Sequence, residues 1–322
     1  MFPWSDPAEP MRFDRFMEAA LHDPERGYYA RRIRDVGIRG DFSTTPSLSG
    51  TLGRAIGAWA AKALRETGCR DLIELGPGSG ALAHAVISAL PWHRRLRTRV
   101  HLVETSSPLR ERQQALLGRS VHWHQTLSEA LATCGGRACI YSNEFVDAFP
   151  VRRFRLNADR WEEQFVTPGR SHWNTTSELP SGSVFSREWA DGQVVEVHSP
   201  YRKWMEEHLT YWKRGRMLTI DYGDQVADLY HRRPDGTLRG YFHHQLVTGP
   251  EILDRPGHQD LTCDVNFTDL IEWSAPRVRM LRLIEQSDFL KPHVDFNQPT
   301  DAFVSAAHGA GGAFLCLEQE VV

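Results

Sequence analysis

The chain has little of what would commit it to a special environment. Its 322 residues hold five cysteines, and no two stand at C-x-x-C spacing. An odd number of thiols without a secretion signal argues against a disulfide framework. Cys139 and Cys316 lie in apolar runs, where a thiol acts as a small hydrophobe. No apolar run is long enough to span a bilayer and the N-terminal segment lacks a signal-peptide core. The expected setting is therefore cytoplasmic, with no membrane insertion. A net charge of only −3 leaves no electrostatic footprint for nucleic acid. The basic clusters Arg31-Arg32-Arg34 and His93-Arg94-Arg95-Arg97-Arg99 read as solvated loops beside helix ends. Internal repeats and low-complexity segments are absent. The 15 histidines raise the question of a metal, and His122-x-His124 sets two imidazoles on one strand face. No third ligand stands near them in sequence, so no metal is expected.

What is present points to one turn. A composition of 41% hydrophobic and 25% charged residues suits one large globular domain with insertions, or two modest ones. Within it, Asp71-Leu72-Ile73-Glu74-Leu75-Gly76-Pro77-Gly78-Ser79-Gly80-Ala81-Leu82 is the most informative stretch. Leu72, Ile73 and Leu75 read as a buried strand, and Ala81 to Ile87 as the helix that follows. Glycines at such a turn permit positive φ and let backbone amides approach a ligand. The helix N-terminus favours an anionic or carboxylate-bearing group there. Glu74, Gly76, Gly78 and Gly80 form E-x-G-x-G-x-G, which resembles motif I of class I S-adenosylmethionine (SAM) methyltransferases. Gly76-x-Gly78-x-x-Ala81 also satisfies a looser dinucleotide fingerprint. Against a dinucleotide, Pro77 has no N–H to give a pyrophosphate, and Glu74 suits an ammonium better than a phosphate. No Tyr-x-x-x-Lys or comparable hydride-transfer set accompanies it. A glycine-rich turn without a ligand is the plainest alternative.

Downstream the chain alternates strand-like and helix-like runs. Val100–Glu104, Val121–His124, Ala138–Ser142 and Arg216–Asp221 read as further strands, with Val278–Ile284 and Ala313–Leu317 as the last two. Helices are expected over Pro108–Leu117 and Tyr201–Trp212. This alternation predicts an α/β fold with a doubly wound, mostly parallel, seven-stranded Rossmann-like sheet. Its ligand would sit beyond the carboxyl ends of the strands, where Gly76–Gly80, Glu104 and Asn143-Glu144 all fall. Glu104 can accept both hydroxyls of a ribose, or serve the start of the helix near Ser106-Ser107-Pro108. Residues 1–62, with Phe13, Phe16, Met17, Ala20 and Leu21 at helical spacing, read as an N-terminal helical cap on a core of 63–322. Insertions are expected at about 151–210, hairpin-like over Val151–Leu156 and Glu163–Val166 and then polar from Thr167 to Ser181. A second, loop-like insertion is expected at 223–264.

With these segments placed, the chain resembles the MidA-type methyltransferases of bacteria and mitochondria, whose animal members are complex I assembly factors that methylate a protein arginine. The likeness runs from Phe16-Met17-Glu18 and Gly27-Tyr28-Tyr29 through Gly40-Asp41-Phe42-Ser43-Thr44-Thr45-Pro46 to motif I. It continues in Asn143-Glu144-Phe145-x-Asp147-Ala148-x-Pro150, Ile220-Asp221-Tyr222-Gly223, Gly236-Thr237-Leu238-Arg239 and Asp260-Leu261-Thr262. The resemblance implies SAM as cofactor, held by Glu74, Gly76, Pro77, Gly78, Gly80, Glu104 and Asn143, with Asp41 and Thr44 or Thr45 closing its mouth. It also implies Asn143 and Glu144 beside the transferred methyl. Glu144 is the best carboxylate to orient a guanidinium, and His244 is a candidate proton acceptor. The expected partners are a protein substrate and, for the chain itself, at most a homodimeric copy. Two departures bear on the acceptor: Pro46-Ser47-Leu48-Ser49 replaces the family's P-E-I-S, and Arg54 stands where a Glu is usual. They open two alternatives, a non-catalytic SAM-binding assembly factor and a small-molecule methyltransferase.

Overall fold

A computed structural model describes residues 2–31, 50–243, 245–294, 297 and 310–322. Asp41, Thr44, Thr45, Leu48 and His244 lie outside the described residues. The chain divides into two compact units, each drawn from several segments: residues 1–33, 146–204 and 223–273 in one, and residues 34–145, 205–222 and 274–322 in the other.

The second unit holds the α/β sheet. Its strands are β1 (Asp71–Leu75), β2 (Arg99–Val103), β3 (Val121–His124), β4 (Ala138–Asn143), β5 (Arg216–Asp224), β6 (Val278–Glu285) and β7 (Phe314–Val321). Every residue of β1 and β4 is buried, as the unbroken apolar runs of parallel strands require. Along the sheet the order is β6-β7-β5-β4-β1-β2-β3. Pairing is parallel from β5 to β3, whereas β7 runs antiparallel to both β5 and β6. The sequence reading expected seven strands. The hydrogen-bonded sheet counts eight, because Gly223 and Asp224 at the end of β5 pair with the two-residue strand Val265–Asn266. A bridge that short carries no periodicity to read.

Register aligns the strand ends. Leu75 is level with Val103 on β2 and with Ser142 on β4, and Asn143 is level with Ile220 on β5. The chain therefore leaves β1, β2, β4 and β5 along one edge, on both sides of the point where strand order reverses. Behind β1 lies the 17-residue helix Thr51–Thr67, which buries Leu52, Ala55, Ile56, Trp59, Ala63 and Leu64. Gly68 ends it in the left-handed conformation. A boundary at residue 62 falls inside this helix.

The other unit is built on the helix Phe13–His22, whose apolar stripe Phe13, Phe16, Met17, Ala20 and Leu21 packs with Trp4, Tyr28, Val151, Val166 and Leu261. The expected hairpin is present as Arg152–Asn157 and Arg160–Thr167. The polar stretch after it is not all loop, since Arg170–Thr175 pairs with Arg160–Thr167 as a further strand. It is an exposed flanking strand without a buried face, so its sequence lacks alternation. The connection 223–264 likewise carries a three-stranded sheet, Gln245–Val247, Arg239–Phe242 and Asp260–Thr262. Each of these strands is three or four residues long, too short for a pattern of its own. Among the described residues no helix is long and apolar enough to cross a membrane.

Candidate active site

The glycine turn follows β1 directly. Gly76, Gly78 and Gly80 all have positive φ, at 60°, 53° and 81°. The Gly76 amide donates to the Val103 carbonyl on β2, and the Gly80 amide closes back on the Pro77 carbonyl at 2.8 Å. Gly80 is the N-cap of the helix Ala81–Ala89 and supplies no side-chain cap. A turn so tight is lined by backbone, the kind of surface that a ligand can approach closely. At Gly76 a Cβ would meet the Phe145 ring at 2.8 Å, so the turn is also closed from the β4 side.

Two buried acids flank the turn. Glu74 is 2% exposed and accepts a 2.8 Å hydrogen bond from the Tyr141 hydroxyl on β4. Burial pushes its carboxyl up to about 8, Tyr141 working against the shift and Glu104 adding to it. Glu104, just past β2, is held through Oε1 by the Ser106 amide at 2.8 Å and through Oε2 by Gln113 at 3.2 Å. Its carboxyl is also raised by burial. Both sequence readings of Glu104 are thus compatible: it receives the amide of the residue that opens the helix Ser107–Leu117, and it stays tied to the turn. Gln113 makes that tie. Its amide nitrogen also donates to the Gly78 carbonyl at 2.8 Å, and its oxygen accepts from Trp123 at 3.0 Å.

Beyond β4 the backbone turns sharply. Glu144 has φ 52°, a conformation that costs a non-glycine residue roughly 1–3 kcal/mol and is found where surroundings impose it. Those surroundings are visible. The Glu144 amide donates to the Ile220 carbonyl on β5, and the next amide, Phe145, donates to Asp221 Oδ2 at 3.1 Å. Asp221 is fully buried and accepts the Tyr222 amide on its other oxygen at 3.0 Å. The Glu144 carboxylate then receives Asn143 Nδ2 at 2.9 Å and the Tyr222 hydroxyl at 3.3 Å, one on each oxygen. Asn143 is buried, and its Oδ1 finds no hydrogen-bond partner among the described residues.

Glu74, Gly76, Pro77, Gly78, Gly80, Glu104, Asn143 and Glu144 are therefore gathered at one edge of one sheet. Sequence reasoning missed Gln113, Trp123, Tyr141 and the bracing role of Asp221 and Tyr222. Gln113 had a faint signal, a polar residue between Leu109 and Leu117 on the buried stripe of its helix. Arg54 is engaged within its own unit, donating to Thr51 Oγ1 at 2.8 Å and to the sequence-distant His293 carbonyl at 3.2 Å. Of the downstream signature, Asp221 and Tyr222 brace Glu144, whereas Thr237 and Arg239 lie in the other unit, where Arg239 pairs with Asp264, as does Arg233, and Thr237 donates to Glu196.

Comparison with known proteins shows the family and the fold. A family model for S-adenosyl-L-methionine-dependent methyltransferases matches residues 55–282. The chain is 27% identical over 319 residues to the Caenorhabditis elegans "Protein arginine methyltransferase NDUFAF7 homolog, mitochondrial", covering 87% of this chain and 72% of that protein. To the Homo sapiens protein of the corresponding name it is 27% identical, covering 88% of this chain and 69% of that one. A solved structure from Burkholderia thailandensis, bound to S-adenosyl-homocysteine, superposes with a TM-score of 0.83 at 24% identity, over 97% of this chain and 88% of that one.

Proposed function

The chain belongs to the S-adenosyl-L-methionine-dependent methyltransferase family, and from that premise we propose that it methylates an arginine side chain of a protein. The residues at the sheet edge fit the cofactor. The three positive-φ glycines leave the turn lined by backbone, and Asn143 Oδ1 is a buried acceptor with no partner among the described residues. Gly76, Pro77, Gly78 and Gly80 would hold the methionine and ribose, Glu104 the ribose hydroxyls, and Glu74 and Asn143 the remaining polar groups. Asp41, Thr44 and Thr45, with the cap of residues 1–62 on the core 63–322, are assigned to closing the mouth by resemblance alone. When bound, SAM supplies an electrophilic methyl on a sulfonium, which is displaced in line and requires chiefly that both reactants be positioned.

The observation that carries the acceptor is the Glu144 carboxylate. It is imposed in strained backbone and steered on both oxygens by Asn143 and Tyr222. Such a carboxylate can take a guanidinium as a fork and leave one nitrogen directed at the methyl. Glu144 would then also hold the proton released when that nitrogen is methylated, with His244 in a supporting place. A protein acceptor, a single or homodimeric chain and a cytoplasmic setting complete the proposal; the curated relatives are named mitochondrial.

The test is incubation with methyl-labelled SAM and a cell extract, comparing the native chain with Glu144→Gln. Label on arginine of one protein, lost with Glu144→Gln, is the expected result. Label confined to small molecules would replace this reading with a small-molecule methyltransferase. Bound S-adenosyl-homocysteine without any transfer would leave a non-catalytic assembly factor.

A further inference from the structure

A second cluster of chemistry-bearing side chains lies at the opposite end of β1, away from the glycine turn. Asp71 opens β1, His101 sits in the middle of β2, and Cys134 follows the helix Leu127–Thr133; all three are buried. One carboxylate oxygen, one imidazole nitrogen and the thiol sulfur lie within 4.8 Å of one another. His101 Nε2 is 3.0 Å from Asp71 Oδ1 and 3.6 Å from Cys134 Sγ. Around a tetrahedral zinc, with bonds of about 2.0 Å to oxygen and nitrogen and about 2.3 Å to sulfur, such pairs sit roughly 3.3 and 3.6 Å apart. The nitrogen–sulfur spacing already matches, and the oxygen–nitrogen pair needs to open by only a few tenths of an ångström.

The outer groups are also those of a metal site. His101 Nδ1 is 2.9 Å from His124 Nε2, and the His122 ring stacks on His101 at 5.1 Å between centroids. Arg99 grips both oxygens of Asp71 at 2.7 Å while its own side chain is 56% exposed. Ligating imidazoles and carboxylates are commonly oriented by such second hydrogen bonds. We propose that Asp71, His101 and Cys134 bind one divalent cation of the zinc class, distinct from the cofactor site. At roughly 3.3 Å per strand residue, the five-residue β1 keeps it about 15 Å from the glycine turn.

The mixed oxygen, nitrogen and sulfur donors favour zinc or cobalt over magnesium or calcium, which take oxygen ligands. One carboxylate and one thiolate balance the double positive charge. Cys134 gives up its thiol proton to solvent as the metal–sulfur bond forms. His101 releases Nε2 to the metal and carries its proton on Nδ1, donating to His124 Nε2, while His124 keeps one proton on Nδ1. The net release is one proton per ion, and a water completes the fourth position. The ion would pin together β1, β2 and the end of the helix Leu127–Thr133.

Tag-free, metal-stripped protein titrated with ZnCl2 by calorimetry in two buffers of different ionisation heat tests this. One ion per chain, release of one proton and a rise in melting temperature are expected. Cobalt should give intense near-ultraviolet thiolate-to-metal absorption, a reading that needs no variant. Cys134→Ser should remove that band and weaken zinc binding by roughly 100-fold or more, the upper end of what losing even an outer-shell partner costs; Cys263→Ser, buried in the other unit, should not. No stoichiometric binding, cobalt binding without the thiolate band, or unchanged affinity in a folded Cys134→Ser chain would each overturn the proposal. None of these readings depends on methyl transfer.

Discussion

At Glu144 positive φ, two hydrogen bonds and an acidic group coincide, and the proposed acceptor chemistry rests on that residue. Glu144→Gln keeps the shape and removes the charge. Methyl transfer should fall by about 100-fold or more, as when one charge-stabilising group is lost, while S-adenosyl-homocysteine affinity stays within a few-fold. Equal loss of both in single-turnover and binding assays would refute the role. At Gly76, alanine would need positive φ and would press on Phe145 at 2.8 Å. Gly76→Ala should lower stability by roughly 1–2 kcal/mol and weaken S-adenosyl-homocysteine binding in calorimetry. Glu74 gives a pH signature. Its carboxyl is raised from 4.5 to about 8, so between these values the native state holds a proton that the unfolded chain has released. Stability is present below the unfolded value and is lost as pH rises through the folded one. At about 1.4 kcal/mol per pH unit, the effect is of order a few kcal/mol. Urea unfolding at pH 5 and pH 8 should show this loss, and Glu74→Gln should flatten it; an unchanged slope in the variant would show that another group titrates.

The helix that follows the glycine turn is placed by its neighbour. Gly53 and Gly57 of Thr51–Thr67 face Ala85 and Ala89 of Ala81–Ala89 so closely that an added Cβ would meet methyl carbons at 2.4 and 2.7 Å. Four small residues, four apart on each helix, bring the two backbones into contact. Gly57→Val should force them apart at a cost of about 1–3 kcal/mol, shifting the turn with its helix. Thermal melts and S-adenosyl-homocysteine titration would both register it, and a variant as stable as the parent would contradict the packing. The buried strands and the helix after the glycine turn were legible because their apolar runs are local, whereas the helix Thr51–Thr67 and its close packing were not read, the boundary at residue 62 falling inside it. The strands at Arg170–Thr175 and 239–262 were not, since long-range pairing rather than periodicity makes them strands.

Each compact unit is assembled from segments far apart in sequence, which decides how the molecule can be cut. Ending the chain before β5 removes β5, β6 and β7 and leaves β4, now an edge, with an open row of backbone groups. Such a fragment, though it keeps every motif I residue, should aggregate or remain unfolded in circular dichroism and size-exclusion measurements. A folded, S-adenosyl-homocysteine-binding fragment would show that the sheet is less cooperative than its topology indicates. Asp71, His101 and Cys134, 30 and 33 residues apart along the chain, likewise meet only through the whole fold.

The amino-acid order alone carried the glycine turn, the succession of strands and helices, and the acids at the strand ends. Those features rest on backbone freedom, burial periodicity and short-range spacing, all of which one-dimensional text preserves. Only the folded chain showed Gln113 joining Glu104 to Gly78, Asp221 and Tyr222 bracing Glu144, and Cys134 beside Asp71 and His101. Each of these depends on which strands become neighbours and in what register. That choice follows from burying the whole sheet at once, and no local stretch of sequence contains it.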